Sequence, residues 1–448
     1  MGETLAGFPY FELRFNADGA AESGADALLT GLPATEATDL FVISHGWNNS
    51  PDVARRLYER FFDEVALLLP AGRTIAVAGV IWPSMRWPDE GDPEGQPDAG
   101  GAASVHGSAL PDREVVAALK DVFPDDGDVL DELGALLDER PRDPAALARF
   151  QELVSQLVTP PEPAAEEDNQ EQTLLDAPPE KLFERSARQA NVRGRDAATI
   201  DGGGSASMDE GGAAGLGLGR LWEGAKQVLR QASYWEMKKR AGRVGTVGLG
   251  PLLTQLHTPP SKLRIHLIGH SFGARLVSYA LRGLGDHPPD PSPIKSVLLV
   301  QGAFSHYAFA NPLPHDLKRA GDLAGMQRRV DGPLVVTHSV HDLAVGRLYP
   351  AASLSAGQDA AGLADVMAPW GAIGHDGAQA VGAASAALGA PDTEYELRHG
   401  EFLNLDADDV IRLGRPPSGA HSDIFHPQLA WVVLAAAGLT GKNDAAPG

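Results

Sequence analysis

The stretch Gly269-His270-Ser271-Phe272-Gly273 sets one serine between two glycines. An apolar run, 263–268, precedes it. Beyond it, Ala274, Val277, Ser278 and Leu281 recur at helical spacing. A hydroxyl on a sharp strand-to-helix turn is crowded by its own neighbours, and small residues two positions away relieve the clash. The helix N-terminus that follows favours developing negative charge. Such a serine is placed to be a nucleophile if the chain also supplies a base, an acid and an oxyanion site. The five-residue pattern arises by chance as well, and its other reading is a turn with a structural role. The strand before it and the helix after it favour the nucleophile.

An oxyanion site needs backbone N–H groups beside the serine. One is assigned to Phe272, the residue after it. The second is assigned to Trp47 in the stretch Ser44-His45-Gly46-Trp47-Asn48-Asn49-Ser50, where Gly46 lets the backbone come close to a substrate. His45 lies upstream of the nucleophile and is read as structural rather than as a base.

The acid should follow a strand downstream of the serine. Asp342 does so, in the loop after the apolar run 333–339. Asp331 precedes that strand and Asp322 is further away. The base should be a histidine in a loop before the last helix. The segment 416–431 offers His421 and His426, and His375 is a weaker third choice. His426 directly precedes Pro427 and belongs to a helix cap. His421 lies among small residues with more freedom to reach the serine, and it is preferred.

The elements that must hold these residues are legible from periodicity. Continuous apolar runs at 39–47, 74–82, 263–271, 294–302 and 332–339 predict strands covered on both faces. Residues 10–15 alternate, as a half-exposed edge strand would, and 395–407 holds a late strand or hairpin. A helix is predicted at 51–69, with Ser50 as its cap and Pro51 in its first turn, and another at 426–439. Strands alternating with helices indicate a mostly parallel α/β sheet.

The region 88–218 differs. It combines helical pieces at 113–123, 128–140 and 144–158 with acidic or glycine-rich stretches at 160–172 and 201–212. It reads as an insertion, a small helical cap with flexible linkers, into a sheet domain formed by 1–87 and 219–448. A spacer with no part in the site is the other reading. From Leu221 to Leu253 the pattern is helical again, and Gly242, Gly245 and Gly248 recur every three residues. That spacing suits close helix packing or, alternatively, a glycine-rich loop.

Composition narrows the function. The chain has 448 residues and a formal charge of −23, which argues against general affinity for nucleic acid or anionic membranes. The absence of cysteine excludes disulfides, thiolate metal sites and a cysteine nucleophile. No apolar stretch reaches the roughly 18 residues of a membrane span. The N-terminus lacks a signal-peptide pattern, so a cytoplasmic protein without a stable membrane anchor is expected. Oligomeric state is left open.

In order, the stretches SHGW, GHSFG, SVHD and GAHSD resemble the α/β-hydrolase superfamily over about 39–84 and 260–440. More narrowly, DLFVISHGWNN, YWEMKKRAGRVG and HDLAVGRLYPAA resemble a group of bacterial and fungal hydrolase-fold proteins. The resemblance implies a mostly parallel, doubly wound sheet of the α/β-hydrolase type, here with a helical cap insertion. It implies Ser271 as nucleophile, His421 as base and then acid, Asp342 as its orienter, and no metal or other cofactor. It also implies a long helix over 221–253 entering the site region. It does not imply a substrate. Apolar residues of the insertion (Val115, Val116, Leu119, Leu130, Leu133, Leu136 and Leu137) are expected to cover an acyl chain. A small or acyl ester substrate is therefore expected. A peptidase of the same fold and a non-catalytic scaffold that recruits a partner through the insertion are the alternatives.

Overall fold

The structure is a computed structural model. It describes residues 3–84, 116–158, 178–187, 213–256, 262–285, 290–348, 371–414 and 419–440. The acidic and glycine-rich stretches of the insertion lie outside these residues, as does Val115.

Ten strands form one sheet: β1 (Thr4–Leu5), β2 (Phe8–Phe15), β3 (Ala21–Ser23), β4 (Asp39–Ser44), β5 (Ile75–Ile81), β6 (Arg264–His270), β7 (Ile294–Val300), β8 (Leu334–His338), β9 (Ala384–Ala387) and β10 (Phe402–Asp406). Their order is β1-β2-β5-β4-β6-β7-β8-β10-β9, with β3 also on β2. All pairs from β2 across to β9 are parallel, and only β1 and β3 run antiparallel to their neighbour. The fold is mixed α/β with a mostly parallel sheet. The alternating stretch 10–15 is not an edge. It lies inside the sheet because short antiparallel strands cover its outer side.

Helices among the described residues include α1 (Ala25–Gly31), α2 (Pro51–Leu68), α3 (Gly127–Glu139), α4 (Pro144–Leu157), α5 (Ala213–Arg243), α6 (Gly250–Leu256), α7 (Phe272–Arg282), α8 (Ile373–Asp376) and α9 (Pro427–Ala436). Successive strand residues point to opposite faces. Leu40 and Val42 of β4 join one buried cluster, while Phe41 and Ile43 join another. The first is completed by Trp235 and Met237 of α5 and by Leu276 and Val277 of α7. The second is completed by Leu57, Phe61, Phe62 and Val65 of α2 and by Leu429, Val432 and Val433 of α9. Helices on both faces explain why the central strands read as unbroken apolar runs. Ser50 caps α2 by accepting from the Val53 N–H at 3.4 Å.

The glycine spacing after α5 belongs to a helix. A π-helical turn (Val244–Leu249) joins α5 to α6 without a loop. A Cβ on Gly245 would overlap the Leu276 carbonyl of α7, and one on Gly250 would overlap Gly283. The small face thus lets this helix lie directly on the helix that follows Ser271.

Residues 116–157 pack inward. Val116, Leu119, Leu130, Leu133 and Leu137 are buried with Phe150, Phe183 and Trp222. They share one buried cluster with Leu40 and Val42 of the sheet and Trp235 of α5, and Leu136 is partly buried against the same cluster. Burying each such side chain stabilises the layer by roughly 1.5–3 kcal/mol. Arg240 of α5 joins the layer to the sheet: Nη1 donates to the Pro83 carbonyl and Nη2 to the Val122 carbonyl, both at 3.0 Å.

Candidate functional site

Ser271 stands between β6 and α7 with φ 57° and ψ −122°. Only glycine takes positive φ freely, and another residue held there costs about 1–3 kcal/mol. The surroundings enforce it. The Ser271 N–H donates to the Val300 carbonyl at 3.1 Å, and the Ser271 carbonyl accepts from the Ala274 and Ala303 N–H groups, each at 3.1 Å. A Cβ on Gly269 would overlap Ala274, and one on Gly273 would overlap the Ser44 carbonyl. Both flanking glycines are therefore required by space.

The loop after β4 leaves the sheet beside this turn because Ser44 lies opposite Gly269 in the register. The approach is close: a Cβ on Gly46 would sit 2.5 Å from the Ser271 Cβ and 2.9 Å from its Oγ. Asn49 Nδ2 donates to the carbonyls of Gly46 (3.3 Å) and Trp47 (3.1 Å). The Trp47 ring packs edge-on against Tyr234 of α5 at 5.6 Å, and Tyr234 lies 4.9 Å from the Phe272 ring. The long helix thus reaches the site region, as the resemblance implied. Phe272 opens α7, whose leading N–H groups have no partner within the helix.

His45 is fully buried. Its Nδ1–H donates to the Gly46 carbonyl at 2.8 Å, and its Nε2 accepts from the Trp82 N–H at 3.4 Å. Its own N–H donates to the Tyr58 hydroxyl at 2.9 Å, and the Trp82 indole stacks on the ring and donates to the His45 carbonyl. Burial pushes its pKa down to about 4, so the ring is neutral near pH 7. These bonds are what a structural histidine makes.

Asp342 follows β8 and is fully buried. Its Oδ2 accepts from His421 Nδ1 at 2.7 Å and from Gln301 Nε2 at 3.0 Å, and its Oδ1 accepts from the Val345 N–H at 3.2 Å. With Nδ1–H committed to the carboxylate, the His421 lone pair lies on Nε2. The two loops are also joined through their backbones, by an Asp342–Gly419 bridge and an Ala420 N–H bond to the His341 carbonyl at 3.0 Å.

The other histidine candidates have other carboxylates. His426 Nε2 pairs with Asp423 at 2.9 Å, and Asp423 also accepts the Arg412 and Leu413 N–H groups. His375 Nδ1 pairs with Asp376 at 2.6 Å, and His306 holds the other Asp376 oxygen at 2.8 Å. Burial alone would raise the Asp376 pKa, but these two histidines outweigh it and hold the group low, while Asp376 raises that of His375. Asp331 pairs with Lys295, and Asp322 with Tyr279 and Arg282. Of the three histidines proposed as base, His421 is the one on Asp342.

His270 joins the halves of the site. Its Nε2 donates to the His421 carbonyl at 2.9 Å, and the two rings lie 4.9 Å apart. Among the described residues no hydrogen bond links the Ser271 hydroxyl directly to the His421 ring.

Sequence reasoning passed over Gln301, Asn49, Tyr58 and Trp82. Gln301 left a trace: it is a polar residue directly after an apolar strand, at the sheet end where the site lies. It is fully buried, its φ is 48°, and its amide spans Asp342 and the Gly374 carbonyl.

Among the described residues no group of three or more histidine and carboxylate side chains is arranged to hold a metal ion, and no helix is long and apolar enough to cross a membrane. Compared with known proteins, the chain matches no protein-family model, no curated protein and no solved structure.

Proposed function

We propose that the protein is a serine hydrolase of the α/β-hydrolase type that cleaves carboxylic esters, with the helices of 88–218 as its cap. The observation that carries this reading is the His421–Asp342 pair, 2.7 Å long, on loops beside a serine at φ 57°.

In this reading His421 Nε2 takes the Ser271 proton as Oγ attacks the ester carbonyl. The N–H groups of Trp47 and Phe272 receive the oxyanion, a contribution of several kcal/mol in such chemistry. The C–O bond to the leaving group then breaks, and the alcohol departs with the proton from His421. Water, deprotonated by His421, cleaves the acyl-Ser271 ester and restores the hydroxyl. Asp342 keeps the imidazole in the required tautomer and stabilises its cation.

The test is intact mass after incubation with a fluorophosphonate, for wild type and Ser271→Ala, followed by turnover of p-nitrophenyl esters and amide reporters. One adduct on wild type alone, with ester turnover, supports the reading. Amide cleavage of equal efficiency would replace esterase by peptidase. No adduct and no turnover would leave a scaffold.

A further inference from the structure

His270 takes no part in the cycle above, yet it is placed as though it should. Its side chain is nearly buried, at 5% residue exposure. Its Nδ1 is enclosed without a hydrogen-bond partner. Enclosing an acceptor in this way is costly, and an apolar side chain would avoid the cost. The nitrogen on the other edge donates to the main chain of His421.

The acid and the base form one unit. Asp342 and His421 are joined by side chains and by the backbone bonds of Gly419 and Ala420, so the pair can shift together without changing its own geometry. What must be fixed is the distance from that unit to Ser271. Gln301 ties Asp342 to the end of β7, the neighbour of β6. The direct tie comes from β6 itself, through the residue that precedes Ser271.

We infer that His270 is a positioning residue for the base: its Nε2–H holds the His421 carbonyl and so sets the imidazole against the Ser271 hydroxyl. The inference rests on the reading of Ser271 as nucleophile and His421 as base. Burial, reinforced by the nearby His421 and His45 rings, pushes the His270 pKa down to about 3. The ring therefore stays neutral and keeps its donor, and it adds no positive charge beside a His421 that becomes cationic during attack.

The test compares fluorophosphonate labelling of wild type, His270→Phe, His270→Asn and His270→Gln, with kinact and KI resolved and thermal midpoints measured alongside. Phe removes the donor and keeps a ring. The Asn amide reaches only the Nδ1 position, whereas the Gln amide reaches that of Nε2. Phe and Asn are expected to lower kinact about ten- to a hundredfold with KI unchanged, the scale of a misplaced catalytic group, while Gln stays within about threefold. Equal kinact in all four, with wild type labelled on Ser271, would overturn the inference and leave the nucleophile reading standing. Loss of kinact in all three variants in step with their thermal midpoints would also overturn it, as a purely structural role. Absence of labelling in wild type would remove the nucleophile reading, and the inference with it. Should the variants not fold, imidazole NMR of wild type decides: a neutral His270 with its proton on Nε2 from about pH 5 to 9 is expected, and a proton on Nδ1 overturns the inference.

Discussion

His266 Nε2 lies 2.9 Å from Asp39 Oδ1; His266 is on β6, the strand that leads into Ser271, but toward its other end. His266 Nδ1 lies 2.8 Å from Ser296 Oγ, so a second serine, histidine and aspartate stand in line across β7, β6 and β4. No turn exposes this serine. All three side chains are buried in the sheet, and Asp39 also meets Thr38 and Arg264. Burial lowers the His266 pKa. For Asp39 burial acts upward, but the bonds from His266 and Thr38 outweigh it and hold the carboxylate low. This line is a strut. Replacing His266 by Phe is expected to lower stability by about 3 kcal/mol, because a buried carboxylate loses its partner. Ser296→Ala should leave fluorophosphonate labelling unchanged. Urea midpoints and intact mass check both, and an adduct on Ser296 would contradict the assignment.

Gly46→Ala should silence the site with little loss of fold. The added methyl meets the Ser271 side chain at 2.5 Å, so the serine or the loop must move. A displacement near 1 Å costs about a hundredfold in reactivity. Labelling rate and thermal midpoint, measured on one sample, separate the two effects.

Gln301→Leu should weaken both the site and the fold. It removes the Nε2 donor from Asp342 and leaves the buried carboxylate with fewer partners, at a cost of about 1–3 kcal/mol. Labelling should slow by about tenfold as Asp342 and His421 loosen. Unchanged labelling kinetics would show that His421 and the Val345 N–H suffice to hold the acid.

Stability should fall on mild acidification. His45 titrates at about 4 in the fold, below its ordinary value of 6.5, because it is buried. Below about pH 6.5 the unfolded chain takes up a proton that the fold refuses, so stability is complete above that pH and declines toward pH 4 at about 1.4 kcal/mol per unit of depression. His270 extends the decline toward pH 3. Denaturation midpoints from about pH 7 to 4 should drop, and His45→Gln should flatten the slope there. A flat wild-type profile would contradict a neutral buried His45.

How much was legible follows from what each element does. β4 to β8 are buried on both faces and announced themselves as apolar runs. The strand-to-helix turn at Ser271 was legible because sterics at Gly269 and Gly273 allow only small residues, and Asp342 and His421, which the structure pairs, were singled out by their places relative to strands and the last helix. β9 did not show: its alanines and serine are all exposed, so no pattern of burial marks it. In the insertion the spacing marked which leucines are buried but not what they cover, because a leucine that packs its neighbours and one that lines a pocket obey the same spacing. Gln301 and His270 were missed as partners because main-chain carbonyls and neighbouring carboxylates leave no sequence pattern of their own.

The guanidinium of Arg240 works as a clasp between distant parts of the chain. It grips the carbonyl of Pro83, where β5 has just ended, and that of Val122, where the helical layer begins. Two points nearly forty residues apart are stitched by one side chain from a third. The seat of the layer on the sheet is then set by that stitch, which belongs to neither of the two segments it joins.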